Sequence, residues 1–446
     1  MTECNKIPLT FSSLGRKKIQ ADFDGGQLTS DAGAVLLREI DRHIGLVDAM
    51  TDCINDPRDP ARITHDIRTM IAQRVFAIAM GYEDGNDHQD LRNDPLMQLL
   101  TDRGIDSANP LASPSTLCRL ENGVGRRELS RLAEVFVEQF IASHDAPPEE
   151  ILLDFDATDD AVHGQQEGRF FHGYYDHYCF LPLYVFCGEQ LLAAYLRPSK
   201  IDGAKHSWAI LKLLVRRFRQ VWPNVRIIFR GDSGFCRWKM LRWCDRRDVH
   251  YIVGLAQNKR LKRLTRREIV TAKWQHRRTG EKQRIFGELA YAAGTWDRTR
   301  RVIVKAEHSD KGTNPRFLVT NLPGDPQDLY DNLYCQRGEM ENRIKEQQLG
   351  LFADRTSCHG FMANQFRLLL SSAAYVLMES LRRLGLCGTQ LERAQAGTIR
   401  VKLLKIGARI IASVRRVVLH LASGYPLQEL FGRVLRRLRE LRPVPI

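Results

Sequence analysis

The stretch Ile151-Leu152-Leu153-Asp154-Phe155-Asp156, followed by Ala157-Thr158, decides how the chain is read. An apolar run of strand length that closes on acidic residues reads as a buried strand whose end faces a crevice. An unpaired carboxylate in the middle of a sheet costs several kcal/mol, so such a residue belongs at a strand end or beside a partner. The same arrangement recurs where Val225-Arg226-Ile227-Ile228-Phe229-Arg230 runs into Gly231-Asp232-Ser233-Gly234. Either Asp alone reads as a strand-to-loop turn or a helix cap. The two together fit that reading less well.

The neighbouring segments supply the rest of a sheet. Residues 179–196 are β-rich and 206–221 read as a helix, as do 236–247. His250-Tyr251-Ile252-Val253-Gly254-Leu255 is a further strand. Strands, helix, strand, helix, strand predict a mixed α/β sheet covered by helices. From 257 to 324 that order breaks off into a basic, alternating stretch with strand-like runs at Arg301–Lys305 and Phe317–Thr320, read as a β-rich insertion. From Asp325 the chain reads as helical nearly to its end. Residues 1–148 read as a mostly helical region, closed by Ala146-Pro147-Pro148. The expected organisation is therefore 1–148, a core in two parts (149–256 and 325–395) around the insertion at 257–324, and a basic helical tail at 396–446.

Charge points to the partner. Of 446 residues, 67 are Lys or Arg and 53 Asp or Glu, a formal charge of +14. Residues 1–150 hold 16 basic and 25 acidic side chains, so the remainder carries +23. A field of that size and sign is the footprint of a polyanion binder. The tail from 398 adds 11 Arg and Lys against two Glu, including Arg433, Arg436, Arg437, Arg439 and Arg442. Its expected role is to follow phosphates. No membrane partner is expected, because no stretch approaches the ~20 apolar residues of a span. The start of the sequence lacks the pattern of a secretory signal, and ten scattered Cys without a close pair fit neither a zinc site nor a disulfide framework. A cytoplasmic, nucleoid-associated protein is expected.

A third acidic residue, Glu341, lies in Tyr334-Cys335-Gln336-Arg337-Gly338-Glu339-Met340-Glu341-Asn342-Arg343-Ile344-Lys345-Glu346. On a helix Tyr334, Arg337, Glu341, Lys345 and Gln348 form one stripe. It reads as a solvated face, or as one side of a site holding metal and phosphate together. Hard cations such as Mg²⁺ take oxygen ligands from a few carboxylates and a substrate phosphate. Two such ions suit in-line displacement at phosphorus.

These motifs resemble the DDE transposases of bacterial insertion sequences: the Asp-x-Thr after a strand, the Asp of Arg-Gly-Asp-Ser-Gly, and Tyr334-x2-Arg337-x3-Glu341. Leu153–Thr158, His163-Gly164-Gln165-Gln166, Leu196-Arg197-Pro198 and Glu341–Glu346 are similar more narrowly to the thirteen-eighty group, whose domain is called DDE group 1. The likeness runs from about residue 10 to 390. It implies an RNase H-like catalytic core interrupted by a β-rich insertion, with Asp156, Asp232 and Glu341 as catalytic residues binding two Mg²⁺, for which Mn²⁺ substitutes. It further implies DNA or phosphate contacts from Tyr334, Arg337, Lys345 and Trp296, a base-stacking tryptophan in the insertion, where Trp274 and Trp296 both lie, and a candidate DNA-end-binding role for residues 1–148. The related signature has Lys where this chain has Gln348, so Lys345 is the expected substitute. Asp154 and Asp156 share a strand face, and either could be the first metal ligand; Asp156 is preferred because it precedes Ala-Thr.

The function so implied is DNA transposition: strand cleavage at the terminal inverted repeats of a mobile element and strand transfer into target DNA, by a homodimer holding two ends. The competing readings are an RNase H-like nuclease that cuts without joining, and a DNA-binding regulator whose carboxylates are structural.

Overall fold

The N-terminal region expected to be mostly helical begins instead with strands. In the computed structural model, which describes residues 8–105 and 109–441, β1 (Leu9–Leu14) and β2 (Lys17–Ala21) form an antiparallel hairpin, and β3 (Leu28–Thr29) follows. Every residue of β1 and β2 is exposed, so no buried period marks them in the sequence. The turn signal that does exist is Gly15, which adopts a left-handed φ of 59°. Helices then take over: α1 (Val35–Ile44), α2 (Leu46–Asp52), α3 (Ile67–Met80), α4 (His88–Leu91), α5 (Pro95–Leu100), α6 (Pro114–Gly123) and α7 (Arg126–Ala142). Pro114 opens α6, where its missing N–H removes no helical bond.

Residues 150–320 build one large sheet. Its strands are β4 (Glu150–Ala157), β8 (Leu183–Cys187), β9 (Gln190–Tyr195), β10 (Arg226–Gly231), β11 (His250–Leu255), β12 (Gln283–Tyr291), β13 (Arg300–Ser309), β14 (Gly312–Thr313) and β15 (Arg316–Thr320). A separate small sheet holds β5 (Asp160–Ala161), β6 (Phe170–His172) and β7 (His177–Phe180). The order in the nine-stranded sheet is β12-β13-β15-β11-β10-β4-β8-β9, with β14 on β13. Strand β10 runs parallel to both β4 and β11, and the other pairings are antiparallel.

Alternation assigns the two faces. Ile151, Leu153, Phe155, Ile227 and Phe229 pack with α8 (Ser207–Val221) and α9 (Trp238–Arg246) through Leu211, Leu214, Phe218, Met240 and Leu241. Ile228, Ile252, Ile303 and Leu318 pack on the opposite face against Leu329 and Tyr330. Those two residues belong to a helical run that starts at α12 (Pro326–Asp328), is π-wound over Leu329–Tyr334, and continues through α13 (Gly338–Lys345).

The stretch 257–324 holds strands as expected, and helices besides. It begins with two helices, α10 (Lys259–Leu264) and α11 (Arg266–Thr279), and its strands β12, β13 and β15 extend the central sheet instead of forming a sheet of their own. The dense basic charge of α10 and α11 obscures their sparse apolar pattern, whereas the burial period of α11, with Ile269 and Ala272 inward, is helical.

Beyond α14 (Phe361–Ser380), the tail is not wholly helical either. After α15 (Ala396–Ile399), β16 (Ala408–Ser413) and β17 (Arg416–Leu421) form a hairpin before α16 (Gln428–Glu440). Strand β16 pairs with β3, so the tail belongs to a compact unit with 8–43, 56–105 and 109–120, to which it contributes 380–441. Its close approach is visible at Gly33, where a Cβ would lie 2.0 Å from the Leu403 carbonyl oxygen. The second unit comprises Ile44–Asn55 and Glu121–Glu379. Arg442 lies outside the described residues. Arg437 is occupied, donating to the Gly385 carbonyl at 3.3 Å and to that of Cys387, while Arg433, Arg436 and Arg439 are exposed. Among the described residues, no helix is long and apolar enough to cross a membrane.

Candidate active site

The two acidic positions of β4 have different fates. Asp154 lies opposite Arg230 in the β4–β10 register, and both side chains are only 4% exposed. Arg230 grips it with two nitrogens, Nη2 at 2.6 Å from Oδ2, and its remaining arm donates to the Leu333 carbonyl. Burial pushes the Asp154 carboxyl up against the opposing pull of Arg230. This pair joins the centre of the sheet to the helical run above it.

Asp156, two residues on and on the same face, is free of that pair. Its Oδ1 accepts from the Ala157 N–H at 2.9 Å, and its Oδ2 lies 3.2 Å from Arg337 Nη1. Arg337 Nη2 in turn donates to Glu341 Oε1 at 2.8 Å. Burial pushes the Asp156 carboxyl up to about 6; Arg337 opposes the rise, and the charges of Asp232 and Glu341 add to it. Four charged groups from three elements thus share one electrostatic field: Asp156 at the end of β4, Asp232 after β10, and Arg337 and Glu341 on the helical run.

Asp232 closes the turn after β10, accepting from the Gly234 N–H at 2.8 Å. The neighbouring strand must come very close for this. A Cβ on Gly254 of β11 would lie 2.7 Å from the Ser233 nitrogen and 2.8 Å from the Tyr334 hydroxyl. Glycine is needed there because backbone and phenol occupy the space of a side chain. Burial raises the Tyr334 hydroxyl pKa, Arg337 opposes the rise and Asp232 supports it. A groove of about 740 Å³ opens beside Asp232, with Tyr330, Tyr334, Arg337, Lys282, Lys305 and Arg316 among its walls. Lys282 and Lys305 both hold Glu307 at 2.9 Å. Sequence reading missed these groove cations, whose only signal was the alternating charge of β13.

Residues 11–443 match the transposase DDE domain, group 1. The chain belongs to this family. No curated protein sequence matches this group 1 DDE transposase chain. Among solved structures it is similar to the piggyBac transposase in a synaptic complex with hairpin DNA, at 11% identity and a TM-score of 0.43, over 84% of this chain and 80% of that one.

Within this DDE domain, Asp156, Asp232, Tyr334, Arg337 and Glu341 come together, whereas two other expected site residues do not join them. Lys345 is exposed, with no contact to the group among the described residues. Gln348, at the position of the lysine in the related signature, donates to the Asp159 carbonyl at 2.9 Å and so ties the helical run to the loop after β4. Trp296 is half-buried, edge-on to Tyr291 with ring centres 5.6 Å apart and with Arg300 5.5 Å above its own ring. Its packing is that of a core residue. The exposed tryptophan of 257–324 is Trp274.

Proposed function

We propose that the chain is a metal-dependent DNA transposase that cleaves the ends of its own mobile element and transfers them into target DNA. The observation that carries this reading is Arg337 standing between Asp156 and Glu341, with Asp232 in the same field. The ends of two adjacent parallel strands and one helix on their common face support an RNase H-like core. Family membership supports the reaction class.

The donor set fits a divalent cation. Three carboxylates offer hard oxygen ligands, and the charges of Asp232 and Glu341 add to the rise that burial causes at Asp156, a repulsion that a bound cation would relieve. Among the described residues no three acidic, His or Cys side chains stand close enough to enclose an ion. The remaining ligands would therefore be water and substrate phosphate, as Mg²⁺ prefers. Asp156, Asp232 and Glu341 would hold the Mg²⁺ pair, with Mn²⁺ as substitute; bound metal activates the attacking oxygen and stabilises the leaving one.

The chain's own residues set the geometry. Arg337 supplies a fixed guanidinium suited to two phosphate oxygens, and Tyr334 places a neutral hydroxyl beside Asp232. At neutral pH Asp156 is ionised and available as a ligand. Synapsis of two ends requires two active sites, so a homodimer on DNA is part of the reading, within the cytoplasm and nucleoid.

The test uses purified protein and a plasmid carrying the DNA that flanks the gene on both sides. Cleavage and joining at defined ends in Mg²⁺, lost in Ca²⁺ and in Asp232→Asn and Glu341→Gln proteins that still bind the ends, is the expected result. Cleavage without joining would make the protein a nuclease. Binding with no cleavage in Mg²⁺ or Mn²⁺ would make it a regulator.

A further inference from the structure

Helices α10 and α11 carry Lys259, Arg260, Lys262, Arg263, Arg266, Arg267, Lys273, Arg277 and Arg278 against a single acid, Glu268. All nine cations are exposed. Among the described residues no carboxylate pairs with any of them, the ion pair of α11 being His276 with Asp310 at 3.5 Å. Glu268 is turned inward, its Cγ 3.1 Å from where a Cβ on Gly287 of β12 would stand. Ile269 and Ala272 fix the inner face of α11 on the core. The outer face is left with Arg266, Val270, Lys273 and Arg277 in one row and Arg267, Trp274 and Arg278 beside it. Trp274 is 53% exposed, with the Arg278 guanidinium 4.6 Å above its ring.

Unscreened like charges on one short face repel each other, and a surface that keeps them without acidic partners suits a polyanion. The face is also pre-shaped, because α11 is anchored along its length to the sheet. Its 14 residues extend about 21 Å, while duplex DNA carries a negative charge every ~1.7 Å of its axis. We propose that the outer face of α10 and α11 is a sequence-independent docking surface for the phosphate backbone of duplex DNA. The proposal rests on the transposase reading for its choice of polyanion and adds the place where the duplex is held away from the carboxylates. Arg278, over the Trp274 ring and exposed, is open to phosphate oxygens.

The test is the salt dependence of binding by the full chain to a 30-base-pair duplex of arbitrary sequence, between about 50 and 200 mM KCl. Each phosphate contact contributes about 0.9 to the slope of log affinity against log salt. The triple variant Lys273→Gln, Arg277→Gln, Arg278→Gln is expected to flatten that slope by roughly 2 to 3 and to weaken binding at least tenfold at low salt, whereas Arg277→Lys with Arg278→Lys keeps the slope. An unchanged slope in the triple variant overturns the proposal, as does tighter binding to vesicles of anionic lipid than to the duplex. Cleavage of the flanking-DNA plasmid is scored in parallel. A flattened slope with no cleavage by the unaltered protein would retain the docking surface and remove the transposase reading; an unchanged slope with intact cleavage would do the reverse.

Discussion

Arg337 spans from the helical run to β4, its Nη1 3.2 Å from Asp156 Oδ2, while its other terminal nitrogen holds Glu341 one turn further along its own helix. One guanidinium therefore sets the distance between two candidate metal ligands that lie 185 residues apart in sequence. It also eases the ionisation of Asp156 against the larger effect of burial.

Removing that charge should move the acid side of the reaction profile. Arg337 holds the Asp156 carboxyl down against burial, so Arg337→Gln is expected to push its pKa above about 6. The pH at which cleavage reaches half its maximum then shifts upward. A pH–rate profile of the variant with an unmoved acid limb would disprove the coupling.

Asp156 should also weaken the fold at neutral pH. Its folded-state pKa of about 6 exceeds the ordinary 3.8, so the folded protein holds a proton the unfolded chain has lost between those values. Stability due to this group accordingly falls as pH rises through that window, by at most on the order of 3 kcal/mol. Asp156→Asn is expected to melt a few degrees higher at pH 7.5 and at the same temperature as the parent near pH 3.5. Calorimetry at the two pH values decides it.

Asp154 should behave in the opposite way. Its removal leaves Arg230 charged and buried, and breaking one side of such a pair costs about 3–5 kcal/mol. Asp154→Ala is expected to lower the urea midpoint sharply, where Asp232→Asn leaves it nearly unchanged. Equal midpoints for Asp154→Ala and the parent would show that the pair is not structural.

Trp296 offers a contrast with the expected base-stacking role. Half-buried against Tyr291, it should give a Trp296→Ala protein that is less stable by on the order of 2 kcal/mol yet binds its DNA ends normally below its melting range. A loss of end binding at unchanged stability would restore the stacking role.

The strands that hold the candidate ligands were legible because they are buried on both faces: Ile227, Ile228 and Phe229 leave no other reading, and the Asp232 that follows within three residues needs a reason. The pairing of Asp154 with Arg230 was not legible, since register between strands 76 residues apart leaves no local trace. It bears on the choice between Asp154 and Asp156, which local pattern alone left open. The β1–β2 and β16–β17 hairpins escaped because their exposed faces carry no burial period, and Val414 at the second tip is fully exposed. Helices α10 and α11 escaped because dense basic charge outweighed their few inward residues, Leu261, Ile269 and Ala272. The stripe from Tyr334 to Gln348 was readable as a helix, but the π-wound turns on either side of α13 rotate successive residues differently from a uniform 3.6-residue helix.

The shared sheet fixes a spacing and also sets up a barrier. Strand β12, beneath α11, is five strands from β4, and at about 4.8 Å per strand this places the edge roughly 24 Å from Asp156. Hydrogen bonds across every intervening strand keep that separation from stretching. Helix α11 lies on the face of Ile151, Leu153 and Phe155 and Asp156 on the opposite one, so a duplex held on α11 would have to pass round the β12 edge to reach the carboxylates.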